Sequence, residues 1–335
     1  MSDLHLSFAM TPYDRVLPLI SGEVKPAGIT LEYQGMPGAV PGVFYDQLKF
    51  QRYDLSEMSF SSFLVERAKG WPYRLLPVFH NRNFSYTSIV IRLSSEIRVD
   101  HPEDLKGKRF AVGDYQQTAA LWIRGVLQHE YGITPQDMEW VQTRGENYSH
   151  TGASGTKPPV KLTFATAPAS ALFLNGEIDA AMSWLGMGNE SALERQGQDL
   201  RGNPDYCLLF SDPKAEAIRY FKKNAVYPPH HTTAVRESIL TDHPWVARSL
   251  MEAFDEAKRI AIRRTAQQTL FVFTQHDLAE VNDVFGLDPF AYGVQANAKA
   301  IDFVQTISVE QGLTQKKQSL DEIFAAEVLI AEERL

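Results

Sequence analysis

Short strand-like segments alternate with helix-length stretches from Leu4 to Arg236, and no other feature of the chain constrains its fold so tightly. Residues 4–9 alternate as a strand does, and 29–33, 55–58, 74–79, 86–92, 109–113, 138–143, 178–184 and 230–236 also have strand composition. Residues 43–52, the stretch from Ser59 to Gly70, 117–131 and 167–175 read as helices between them. Thr11, Pro12 and Asp14 form a helix-start signal, with Gly22 placed to close that helix. Such a succession predicts an α/β fold with largely parallel sheets. Beyond residue 236 the chain reads as helical, with a long amphipathic helix over 244–264 and a break at Gly286-Leu287-Asp288-Pro289. At 335 residues it is too long for most single cores and suits two lobes.

The run from Pro102 to Ala120 reads as a polar turn, a strand, a second polar turn and the start of a long helix. A helix N-terminus presents unpaired N–H groups and partial positive charge, so it favours an anionic ligand. Tyr115, Gln116 and Thr118 stand at that start and could hold a phenol or a carboxylate; capping by Asp114 or Thr118 is the structural alternative. Ser59, Ser61 and Ser62 occupy the corresponding turn of the first half, where capping is the stronger alternative. Residues 145–159, rich in Gly, Ser, Thr and Pro, read as a flexible surface loop.

Net charge is −8, from 41 acidic against 33 basic side chains without a clustered basic run, which argues against nucleic acid and anionic membranes as partners. Cys207 is the only cysteine, so an intrachain disulfide and a cysteine metal cluster are both excluded. Dispersed histidines could still meet in space. No stretch reaches the apolar length of a membrane span, and the N-terminus lacks a basic region followed by an apolar one, so a cytoplasmic protein is expected. Dinucleotide, P-loop, nucleophile-elbow and zincin motifs are missing.

Pro102-Glu103-Asp104-Leu105-Lys106-Gly107-Lys108-Arg109 resembles the opening of the second lobe in type II periplasmic-binding-protein folds, two-lobed clamps that hold small solutes. A more specific resemblance is carried by Leu6-Ser7-Phe8-Ala9, Pro12-Tyr13-Asp14-Arg15, Leu55-Ser56-Glu57-Met58-Ser59, Tyr115-Gln116-Gln117-Thr118-Ala119-Ala120, His243-Pro244-Trp245-Val246 and Asp288-Pro289-Phe290-Ala291-Tyr292-Gly293. These runs, in collinear order over nearly the whole chain, resemble the 4,5-dihydroxyphthalate decarboxylases. The resemblance implies the clamp fold, with lobe one formed by 1–93 and 237–335 and lobe two by 94–236, joined near 86–94 and 224–236. It also implies a carboxy-lyase of aromatic compound catabolism that acts on a small aromatic carboxylate without an organic cofactor; a homo-oligomer is compatible with it. Where the family tends to have a second arginine and a histidine after Arg82, this chain has Ser85 and Tyr86. The different-class alternative is a clamp that binds an aromatic acid without turning it over.

A phenolic acid loses CO2 when the ring carbon bearing the carboxylate is protonated, so such a site needs a carboxylate anchor and a proton donor. Arginine fits the first task through its planar fork, and Arg82, kept by the family, is the expected anchor. Arg124 and Arg15 read as pairing residues. Histidine fits the second task. His230 and His231 lie on one expected strand, so only one can face the cleft, and the resemblance favours His231. A hinge histidine satisfied by a carbonyl is the alternative, and His80 is the competing donor. Tyr86 and Trp184 complete the expected substrate wall, although a tryptophan at a strand end is more often core.

Overall fold

The computed structural model describes residues 3–37, 39–145, 149–183, 197–267 and 272–333. The chain enters through β1 (Leu4–Ala9), β2 (Ile29–Tyr33), β3 (Leu55–Ser59) and β4 (Tyr73–Arg82). It continues through β5 (Val90–Arg92), β6 (Arg109–Val112), β7 (Glu139–Gln142), β8 (Leu162–Phe164), β9 (Ala180–Ala181) and β10 (Tyr206–Leu208), and returns with β11 (Pro229–Arg236). Two sheets result, in the orders β2-β1-β3-β11-β4 and β10-β5-β9-β6-β7-β8. β1 pairs parallel with β2 and β3, and β9, β6, β7 and β8 pair parallel in turn. The returning β11 is antiparallel to both β3 and β4. β3, enclosed between β1 and β11, is buried at all five positions, as a central strand covered on both faces must be.

Helices α1 (Leu17–Ile20), α2 (Ala39–Phe50), α3 (Phe60–Arg67), α4 (Thr118–Tyr131), α5 (His150–Ser154), α6 (Ala169–Leu174) and α7 (Pro213–Asn224) connect the strands. The C-terminal part supplies α8 (Glu237–Asp242), α9 (Trp245–Thr265), α10 (Thr274–Phe285), α11 (Ala298–Glu310), α12 (Leu320–Ile323) and α13 (Ala326–Glu333). On α9, Val246, Leu250, Ala253, Phe254, Ala257 and Ala261 make the buried stripe that helical spacing dictates, against α1 and β4. α11 packs against α4 of one lobe and α3 of the other. Gly125 permits the first contact: a Cβ there would lie 2.7 Å from the Ile307 side chain. The C-terminal region therefore braces both lobes instead of extending lobe one alone.

Several expectations change. The helix expected to start at Thr11 is only α1, because the Thr11 N–H donates to the Glu57 carboxylate and Tyr13 donates its hydroxyl to the same group. Tertiary hydrogen bonds win over the local cap signal. Residues 145–159 are not simply a surface loop: Ser149, His150 and Thr151 are buried, and Ser149 caps α5. The strand expected over 86–92 is only β5, since residues Ser85–Ser88 form a 3-10 turn. By sheet membership β5 already belongs to the second lobe and β11 to the first, and α7 stays with the second by pairing Arg219 with Glu130 of α4, so the chain crosses over 83–89 and 225–228.

Candidate active site between the lobes

β3 runs directly into α3, and β6 runs through a five-residue turn into α4, so the starts of two helices meet across the lobes. Ser59 caps α3 by accepting from the Ser62 N–H. Its hydroxyl lies 2.8 Å from that of Thr118, which also accepts from the Ser61 N–H at 3.0 Å. This junction lies beyond the carboxyl ends of parallel strands, the usual place for a ligand in open α/β sheets.

Glu57 forms the first-lobe wall. It is fully buried on β3 and accepts from the Thr11 N–H at 2.9 Å, the Tyr13 hydroxyl at 2.9 Å and His231 Nδ1 at 2.6 Å. His231 comes from β11, where Ser59 is its cross-strand partner and Thr233 is opposite Glu57. Burial pushes the Glu57 carboxyl up, but the His231 hydrogen bond and charge and the Thr11 contact outweigh it and hold it at about 2. The carboxylate fixes the imidazole through Nδ1, leaving Nε2 without a protein partner among the described residues on a ring that keeps 17% side-chain exposure. Phe44 sets its ring against His231 at 4.9 Å and against His150 at 5.6 Å, so one aromatic spans the two imidazoles.

Asp114 organises the second-lobe wall. It accepts from the Gln116 N–H at 2.9 Å, the His150 N–H at 2.6 Å and the Thr151 hydroxyl at 2.9 Å, with the Arg144 guanidinium 3.7 Å away. His150 Nδ1 meets the Ser62 hydroxyl at 2.9 Å, a bond across the lobes. Burial holds the His150 ring at about 4, so it is neutral at pH 7. Open cavities of 790 and 540 Å³ lie elsewhere, one beside the end of α3 and one beside Arg82, and neither is lined by these groups. Among the described residues no set of three His, Cys, Asp or Glu side chains is arranged to hold a metal ion.

The protein is 32% identical over 333 residues to the 4,5-dihydroxyphthalate decarboxylase of Comamonas testosteroni, covering 97% of each chain. The chain belongs to the 4,5-dihydroxyphthalate decarboxylase family. A second relative, the 4,5-dihydroxyphthalate decarboxylase of Pseudomonas putida, is 32% identical over 66% of this chain and 83% of its own. No protein-family model matches. Among solved structures, the periplasmic sulfonate-binding protein SsuA of Methylobacillus flagellatus KT matches at a TM-score of 0.58 and 14% identity, covering 100% of this chain and 95% of its own. The alkanesulfonate-binding protein SsuA of Xanthomonas axonopodis pv. citri matches at 0.55 and 14%, covering 98% of each. That likeness establishes the two-lobed clamp fold of periplasmic binding proteins.

Of the residues that sequence singled out, His231, Ser59, Ser61, Gln116 and Thr118 meet at the junction. His80 lies one row behind: it is buried, bonded to the Thr233 hydroxyl at 2.6 Å, stacked on Tyr13, and held at about 3 by burial. His230 turns to the opposite side, 3.4 Å from the Ser85 hydroxyl.

Three other candidates are elsewhere. Arg82 gives its fork to the carbonyls of Tyr227 and Ala291 and to the Asn297 side chain, so the structure uses it to tie the return crossover to the C-terminal segment rather than as an open anchor. Tyr86 directs its hydroxyl to Glu216 at 2.8 Å within the core. Tyr115 lies in the second-lobe core, its ring beneath Arg124 at 3.7 Å and edge-on to Trp140. Trp184 lies outside the described residues. Arg124, the expected pairing residue, bonds Gln311 at 2.6 Å and the Tyr115 carbonyl at 2.8 Å. Arg15 pairs with Asp14 and donates to the His80 carbonyl.

Sequence reasoning missed Glu57, His150, Asp114 and Phe44 as cleft residues. Only Glu57 left a usable signal: a carboxylate near the end of a strand that precedes a serine-rich helix start. His150 was hidden inside the presumed loop.

Proposed function

We propose that the protein is a carboxy-lyase that removes CO2 from a hydroxylated aromatic dicarboxylate such as 4,5-dihydroxyphthalate. Family membership supports the reaction type, and the observation that carries the mechanism is the His231–Glu57 pair at the interlobe junction, with the imidazole still 17% exposed. In this reading His231 Nε2 delivers a proton to the ring carbon bearing the departing carboxylate. The hydroxyl para to that carbon stabilises the resulting cation. The bond to the carboxylate then breaks, its electron pair restores the aromatic ring, and CO2 leaves. One proton is consumed per CO2 released, and the imidazole recovers its proton from solvent. Glu57 keeps the ring oriented through Nδ1, so that Nε2 is the nitrogen left to act. Burial of the surrounding groups keeps bulk water away from the step.

The test is to incubate the purified protein with 4,5-dihydroxyphthalate and a panel of hydroxybenzoates, with and without chelator, while following CO2 and product. Release of one CO2 per mono-acid formed is expected. Binding without CO2 release would return the chain to a clamp that only holds an aromatic acid.

A further inference from the structure

The junction of the two lobes contains more hydrogen-bonding capacity than the protein itself uses. Ser61 Oγ, Gln116 Nε2 and His150 Nε2 are buried and have no partner among the described residues. Buried polar atoms are nearly always paired, so three unpaired ones around one junction call for an explanation. All three stand where α3 and α4 begin: Ser61 is tied to Thr118 at the first position of α4, Gln116 immediately precedes its cap, and His150 is bonded to Ser62 of α3. The 14-residue α4 starts at Gln117 without a side-chain cap, which leaves first-turn N–H groups and the positive end of its dipole open.

The three side chains can act as donors. Gln116 has its carbonyl oxygen occupied by the Ser154 hydroxyl, so its amide N–H groups remain. When the Ser62 hydroxyl donates to Nδ1 of the neutral His150 ring, the ring proton sits on Nε2. The nearest cation, Arg144, lies beside Asp114, so the donor set carries little net charge of its own.

We infer that Ser61, Gln116 and His150, with the start of α4, form the subsite for the carboxylate that stays on the ring, and that this subsite selects an ortho-dicarboxylate over a monocarboxylate. The inference rests on the decarboxylase reading. A carboxylate leaves as neutral CO2, so donors that grip it in the ground state would slow its departure. A grip of this kind therefore serves the carboxylate that stays. The departing one belongs at the other side of Phe44, beside His231, where the apolar ring edge offers it no hydrogen bond.

Phthalate and benzoate, which lack the activating hydroxyl, separate binding from turnover. Calorimetry on the intact protein should show phthalate bound more tightly than benzoate by at least about tenfold, the scale of one hydrogen bond to a charged group. His150→Phe should weaken phthalate by about 10- to 100-fold and leave benzoate within about threefold, whereas His150→Gln, which keeps a donor near Nε2, should recover most of the loss. Gln116→Leu, made in parallel, is read the same way should His150→Phe fail to fold. An unchanged phthalate preference in a folded variant would overturn the inference, as would equal weakening of both acids. If wild type prefers phthalate yet releases no CO2 from 4,5-dihydroxyphthalate, the decarboxylase reading fails and the subsite stands.

Discussion

The smallest unit on which the proposed chemistry depends is the His231–Glu57 contact, because the carboxylate decides which imidazole nitrogen faces the ligand. His231→Gln should keep the fold and most of the binding but lower kcat by about two to four orders of magnitude, the scale of a lost general acid. Glu57→Gln leaves one acceptor oxygen where Thr11 N–H uses Oε2 and Tyr13 and His231 share Oε1, so it disturbs the carboxylate that orients the imidazole and should cost about two orders of magnitude or more. His230→Gln, on the opposite side of β11, should change kcat little. Steady-state kinetics on the three variants checks all of this; a larger loss for His230→Gln than for His231→Gln would place the proton donor on the other face. Strand alternation and the family resemblance made His231 legible in the sequence. Glu57 left a weaker signal, a carboxylate near the end of a strand, which does not by itself say whether the position is buried or what it meets. Only the return of β11 beside β3 buries that position and supplies its histidine.

At the scale of elements, Arg82 shows how a functional-looking residue can be a structural one. It ends β4, and its guanidinium satisfies acceptors on the crossover before β11 and on the segment leading into α11. Arg82→Ala strands those buried acceptors and should lower unfolding stability by about 2–4 kcal/mol. Activity should then fall only with the folded fraction. Urea unfolding together with KM distinguishes the cases: a raised KM at unchanged stability would return Arg82 to substrate binding. Its composition made the 145–159 segment look like a solvated loop, since Gly, Ser and Thr are cheap to leave in water. Asp114 gives part of that segment buried partners, through the His150 N–H and the Thr151 hydroxyl, and sequence carries no mark of that distant carboxylate.

Over the whole molecule, three histidines on three different elements are buried: His80, His150 and His230, held by burial at about 3, 4 and 3. In the unfolded chain each titrates near 6.5. As pH falls below that value, the unfolded state binds up to three protons that the native state does not, so stability is full above about pH 6.5 and falls toward pH 4. The slope should approach about 4 kcal/mol per pH unit once all three are protonated in the unfolded chain. Glu57, held at about 2 against an ordinary 4.5, adds a further loss in the same direction below pH 4.5. Denaturant unfolding at a series of pH values reads the slope directly; a flat profile between pH 7 and 5 would mean that these histidines take up protons as readily in the native state as in the unfolded chain.

Most of the strand and helix segments, the absence of an intrachain disulfide and the strand carrying His231 were determined by the sequence alone, because periodicity and composition are local properties. So was the α/β class, since short strands joined by helices have few ways to bury their apolar faces. What only the tertiary structure decided is which polar groups meet: Glu57 with His231, Ser62 with His150, Ser59 with Thr118, and Arg82 with the C-terminal segment. Those pairs are separated by 59 to 215 residues. Their formation depends on the order in which strands join a sheet and on how two lobes close, which are properties of the packed chain that no local pattern encodes.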